Sequence, residues 1–223
     1  MHASQFVVVG SGLLALVISV ILWPVVGYAI TVVHEGGHAL AASMMGGSVT
    51  SLTMGPGHNG LTLAKGLGPF GAFVFLFGGY VGPSLFGVAG AMLLARDHVR
   101  MVLWLSVFLL LLALLTAGNY VARVAIVLVG ALIVLVIRKA SDGQEVFFAY
   151  TWIWFLLFGG FGHVLVLQQV RSGGGDTVTD AYQLRKMTFL PASVFSGVFW
   201  LFSAAALVFG AVVMLHLYHP HLA

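Results

Sequence analysis

With 223 residues, 61% of them hydrophobic and only 7% charged, and a mean hydropathy of +1.09, this chain lacks the charged quarter of a typical soluble domain and reads as a polytopic membrane protein. Nine Lys and Arg against six acids give a net charge of +3, scattered over short joints between apolar runs, which is membrane-flank bias without a basic stripe for nucleic acid. The absence of cysteine excludes disulfides and thiolate metal ligands, so any zinc must be held by histidine and carboxylate.

Met1 to Gln5 carry neither a basic leader region nor a convincing cleavage site, so the first apolar run is expected to be retained. A span needs about 20 apolar residues, and Phe6 to Met45 is too long for one upright helix. Pro24, near its middle, marks either a kink or a join between two segments. Gly46-Gly47 ends this run, and from Ser48 to Ala64 the period changes to alternation around Gly55-Pro56-Gly57-His58-Asn59-Gly60. That pattern predicts a β-hairpin at the membrane surface, with an edge able to pair with an extended peptide. Apolar runs follow at 70–95, 101–117, 121–137, 147–170 and 190–218, joined by short polar segments that hold most of the charges. The expected fold class is therefore an all-α polytopic membrane protein. It has six transmembrane helices, or seven if Pro24 separates two, with the small hairpin after the second segment.

His34-Glu35-Gly36-Gly37-His38 lies in the otherwise uncharged run Val25 to Met45. Residues four apart share a helix face, so His34 and His38 can direct two imidazoles at one ion. Glu35 can then reach a water beside that ion and act as general base. A carboxylate at membrane depth is costly to keep without a partner or a task. Gly36 and Gly37 weaken the helix. Gly37 suits both substrate access and close packing, and Gly36 suits packing.

A catalytic zinc site commonly has three protein ligands and one open position. His38 is seven residues before Met45, about 10 Å below the hairpin side at 1.5 Å per residue. An even number of spans separates the hairpin from the 171–186 loop, which returns that loop to the same side. Asp97, Asp142 and Glu145 fall on the far side. The candidates that remain for the third ligand are Asp180, Asp176 and His163, with His58 in the hairpin turn as a fourth. Asp180 has an alternative role at the start of a short helix over 181–187, where Thr179 is an alternative cap. Asn119, near a helix end on the hairpin side, suits a turn, or binding of a substrate backbone or an oxyanion. Five basic residues on the hairpin side against four on the other lean that side slightly toward the cytoplasm.

His34-Glu35-Gly36-Gly37-His38-Ala39-Leu40, followed by a hairpin and by Gly78-Gly79-Tyr80-Val81-Gly82-Pro83-Ser84-Leu85-Phe86-Gly87, resembles the site-2 protease family of intramembrane zinc metalloproteases. Thr179-Asp180-Ala181 with Leu184, then Leu190-Pro191 and a last span containing Trp200, is similar to its short-chain M50B-like branch. The resemblance implies Asp180 as third zinc ligand beside His34 and His38, and Glu35 as the catalytic base. The Asn-Pro and Asp-Gly segment that supplies this ligand in typical site-2 proteases has no counterpart here; the one Asp-Gly, Asp142-Gly143, lacks the preceding Asn-Pro.

These readings together make residues 1–223 one membrane-embedded metalloprotease-like domain, with the hairpin at about 48–64 and a loop at about 171–189. Its expected function is zinc-dependent hydrolysis of a peptide bond in or near a transmembrane segment of a membrane-protein substrate. Its expected location is a bacterial plasma membrane, where it is multi-pass and in contact with the lipid bilayer. The alternative is a non-proteolytic membrane protein that keeps the metal site as a structural or regulatory element for partner binding. A transporter would show matched broken helices in two halves, and the Pro24-interrupted run has no evident matching partner.

Overall fold

The structure, a computed structural model, describes residues 4–173 and 179–216. Within them the elements run α1 (Gln5–Ile21), α2 (Trp23–Met44), β1 (Ser48–Met54), β2 (Gly60–Lys65), α3 (Pro69–Leu94), α4 (Val99–Leu115), α5 (Tyr120–Lys139), α6 (Asp142–Ser172), α7 (Asp180–Thr188) and α8 (Ala192–His216). Helices α3, α5, α6 and α8 are each long and apolar enough to cross a membrane. The pair α1–α2 is a fifth candidate, broken at Leu22 and bent by 104°. Pro24 sits in the first turn of α2, where its missing N–H is harmless, whereas inside a continuous helix it would remove a ladder bond. The break near Pro24 is therefore a join between two helices.

Helix α2 stops at Gly46-Gly47 through backbone geometry. Gly46 takes a φ of +77°, and the N–H groups of Gly46 and Gly47 reach back to the carbonyls of Ser43 and Ala42. This is a Schellman termination, which glycine adopts without the Cβ strain of other residues. The chain then enters the hairpin, with antiparallel register from Ser48 opposite Lys65 to Met54 opposite Gly60 and one irregularity between Val49 and Ser51.

The hairpin lies along α2, where the sequence suggested a position at the surface. Thr62 reaches Glu35, and the tip residue His58 packs over Gly27. The side-chain pattern of β2 accounts for this placement: polar Thr62 is buried against α2, while Leu61 and Leu63 face outward at 56% and 51% exposure. A strand with its polar face inward and its apolar face outward suits lipid surroundings better than water. The other edge of the sheet is tied down, because the Leu52 N–H donates to the Thr116 carbonyl and the Gly118 N–H donates to the Leu52 carbonyl, both at 2.7 Å. Asn119 adds a clamp, capping α5 through Ala122 N–H and donating to the Met54 carbonyl at 2.7 Å. It serves the turn and the hairpin.

Helix α3 approaches α2 closely because glycines line the contact. A Cβ on Gly37 would run into the Gly78 carbonyl, and one on Gly82 would stand 3.0 Å from the Gly37 Cα. Gly37 thus serves close packing, and the space beside it is filled by α3. Gly36 has no atom within 4 Å of its would-be Cβ and instead lines an apolar groove between α2 and α4. Packing, expected of Gly36, is not its role.

The 31-residue α6 runs through the centre, with Gly159 against Ile30 of α2 and the Trp154 indole N–H donating to the Val8 carbonyl of α1. At its N-terminal end, Arg100 holds both oxygens of the buried Glu145 at 3.1 and 3.2 Å. That pair lies at the opposite end of α4 from the Thr116–Leu52 bond to the hairpin. A second apolar cluster, with Tyr80, Val164, Phe195 and Phe199, encloses Ala181 and Leu184 of α7. Those two fully buried residues dock α7, and docking brings the residue at its N-terminal end to the motif helix.

Candidate metal centre

His34, Glu35 and His38 sit in the middle of α2, all buried. The one-turn spacing brings His34 Nε2 to 3.2 Å from His38 Nε2. Asp180, in the first turn of α7, then places Oδ2 3.3 Å from each of those nitrogens. The Thr179 side chain caps the helix by accepting from the Tyr182 N–H, so Asp180 is free of capping duty and its carboxylate turns inward. Burial alone would raise the Asp180 carboxyl, but the His38 and His34 imidazoles beside it hold it below the usual carboxylate range.

Three donor atoms 3.2, 3.3 and 3.3 Å apart form a nearly equilateral triangle. A tetrahedron with metal–ligand bonds of about 2.0–2.1 Å has edges of about 3.3–3.4 Å. The triangle therefore fits one face of a zinc coordination sphere, with a fourth vertex left over. His38 is also turned the right way for a ligand, since its Nδ1 lies 2.6 Å from the Phe75 carbonyl. A proton donated there leaves the Nε2 lone pair free to bind a metal. Gly79 makes room opposite, since a Cβ there would stand 2.5 Å from His34 Nε2.

Glu35 has a carboxylate oxygen within 4.8 Å of a ring nitrogen of both His34 and His38. Its Oε2 accepts a hydrogen bond of 2.6 Å from Thr62 Oγ1. All four groups open onto a cavity of about 1000 Å³ between α2, β2, α6 and α7, large enough for a stretch of peptide.

The remaining candidates fall in different places. His163 lies beside the site, its ring 4.7 Å from that of His34, and Nδ1 of each has no hydrogen-bond partner among the described residues. His58 is occupied elsewhere: Nε2 lies 3.0 Å from the Pro24 carbonyl, and Thr31 donates to the His58 carbonyl. It pins the hairpin tip to the start of α2. Asp176 lies outside the described residues.

Sequence reasoning passed over Thr62 and Gly60, which flank the Glu35 carboxylate. The signal was present in the alternation of β2, where a polar residue stands between two leucines on the opposite face. Reading it required knowing that the strand lies against α2. Chemically, the arrangement can hold a divalent ion on two imidazoles and a carboxylate, with a second carboxylate alongside to exchange protons with water.

Neither the curated proteins nor the solved structures contain a match to this chain. Residues 7–210 match the family model for peptidase M50B-like proteins. With a match over most of its length and helices able to cross a membrane, the chain belongs to the peptidase M50B-like family.

Proposed function

We propose that this protein is a zinc metalloprotease that hydrolyses a peptide bond in or beside a transmembrane segment of a membrane-protein substrate. The observation that carries the reading is the donor triangle of His34, His38 and Asp180, whose edges match a tetrahedral zinc site with one vertex open. Zinc, when bound, supplies Lewis acidity and lowers the pKa of an associated water toward neutrality.

The chain's own residues account for the rest. His38 donates its Nδ1 proton to the Phe75 carbonyl and so keeps its ring fixed. Glu35 takes the proton from the attacking water and returns it to the leaving amine nitrogen. The substrate segment unwinds to expose its peptide bond, and its extended backbone lies along the edge of β2 that faces away from β1. Asn119, occupied by Met54 and the start of α5, takes no part in binding.

In this reading the protein is multi-pass in a bacterial plasma membrane: the two helices that meet near Pro24, bent by 104°, share one passage, and α3, α4, α5, α6 and α8 make five more, six in all. Helix α4, with 17 residues, reaches about 25 Å at 1.5 Å per residue, enough for a thin hydrocarbon layer.

The test uses the purified chain in detergent, loaded with zinc and offered a panel of peptides that each carry one transmembrane segment. Glu35→Gln is expected to retain zinc and lose cleavage, and His38→Ala to lose zinc. Cleavage by Glu35→Gln at the wild-type rate contradicts the assignment of the base.

A further inference from the structure

The Glu35 carboxylate has a neighbour on the hairpin, outside the His34–His38 stretch. Thr62 Oγ1 lies 2.6 Å from Glu35 Oε2 and 3.2 Å from the Glu35 backbone carbonyl. A hydroxyl has one proton, and the shorter contact falls in the range of charge-assisted O–H···O⁻ bonds, about 2.5–2.7 Å. The proton therefore goes to the carboxylate. Thr62 is 5% exposed and Glu35 3%, so this bond is largely shielded from solvent although both residues border the cavity.

On the other side of the carboxylate stands Gly60. A Cβ built there would collide with Glu35 Oε1, Cδ and Cγ. The carboxylate thus occupies the volume that a glycine leaves, with one oxygen over Gly60 and the other on the Thr62 hydroxyl. The strand that carries both residues is firmly held. Thr62 pairs with the fully buried Leu52, and Leu52 is bonded on its far side to Thr116 and Gly118 in the α4–α5 turn. The position of Glu35 is therefore set from a sheet fixed to the body of the protein as well as from α2.

We propose that Thr62 and Gly60 are positioning residues for Glu35, holding its carboxylate beside the metal centre and out of the coordination sphere, so that it stays available as a base. The proposal rests on the reading of Glu35 as that base. With the Thr62 hydroxyl gone, a buried carboxylate oxygen loses its donor, and the strongest alternative partner within reach is the ion itself. A carboxylate turned onto a bound ion would take the place meant for water and would no longer be available as a base.

The test needs no natural substrate. Acetohydroxamate, a small chelator that binds a zinc ion and hands its proton to an adjacent carboxylate, probes both the open position and the base. The full chain in detergent, zinc-loaded, is compared by calorimetry as wild type, Thr62→Val, Thr62→Ser, Gly60→Ala and Glu35→Gln, with zinc content measured for each. Thr62→Val is expected to keep its zinc and to bind acetohydroxamate at least about tenfold more weakly, the scale on which outer groups tune metal sites. Thr62→Ser, which restores the hydroxyl, is expected to bind within about twofold of wild type.

Gly60→Ala is expected to lose affinity as Thr62→Val does, and it decides the matter if Thr62→Val fails to fold. Wild-type affinity in Thr62→Val or in a folded Gly60→Ala, alongside lost affinity in Glu35→Gln, overturns the positioning role and leaves the base assignment standing. Wild-type affinity and cleavage in Glu35→Gln overturn both.

Discussion

Asp180 Oδ2 stands 3.3 Å from His38 Nε2, although one residue opens a short helix near the end of the chain and the other lies in the middle of α2. Nothing in α2 itself determines that meeting. It depends on α7 being docked through Ala181 and Leu184 into the cluster formed by α3, α6 and α8. The donor triangle is thus made by tertiary packing, and its geometry depends on side chains that lie outside it.

Asp180→Asn keeps the shape of the side chain and removes its charge. Zinc affinity is expected to fall by at least about tenfold, since a neutral amide is a poor replacement for a carboxylate ligand. Competition with a chromogenic chelator measures it. Unchanged affinity means that Asp180 is not a ligand.

Leu184→Ala removes a fully buried side chain that anchors α7, at a packing cost of about 2–5 kcal/mol. The consequence expected beyond lower thermal stability is weaker zinc binding, by about tenfold, because Asp180 is no longer held at the triangle. Chelator competition at a temperature where the variant is still folded separates the two effects. Loss of stability with zinc affinity intact indicates that Asp180 is positioned by something other than the α7 dock.

The two glycines of the motif are expected to respond in opposite ways. Gly37→Ala forces a methyl group into the Gly78 backbone carbonyl, which cannot yield as a flexible side chain can, and is expected to destabilise by about 1–3 kcal/mol. Gly36→Ala meets open space and removes a helix-weakening residue, so it is neutral or stabilising by up to about 1 kcal/mol. Thermal unfolding in detergent compares them. A destabilising Gly36→Ala with a harmless Gly37→Ala contradicts the α2–α3 packing described above.

Much of this architecture was legible in the sequence because local rules govern it. The one-turn spacing of His34 and His38, the Pro24 join and the Gly46-Gly47 stop each follow from a few adjacent residues. The hairpin followed from the change of period, and Asp180, kept among the candidate ligands, lines one cavity with β2. What stayed hidden depends on long-range placement. Thr62 and Gly60 read as a strand residue and a turn glycine until the hairpin is laid along α2. His58 read as a candidate ligand because its carbonyl and ring partners, Thr31 and Pro24, lie in a different element. Gly36 read as a packing residue because spacing alone cannot tell which face of a helix has a neighbour.

The central claim is that two imidazoles and one carboxylate hold zinc at mid-helix depth in α2. Zinc K-edge absorption spectroscopy of the zinc-loaded chain tests it most directly. The account predicts a four-coordinate spectrum with multiple scattering from two imidazoles and the remaining first shell made of oxygen at about 2.0–2.2 Å. A spectrum without imidazole scattering, or one that requires three imidazoles, contradicts it.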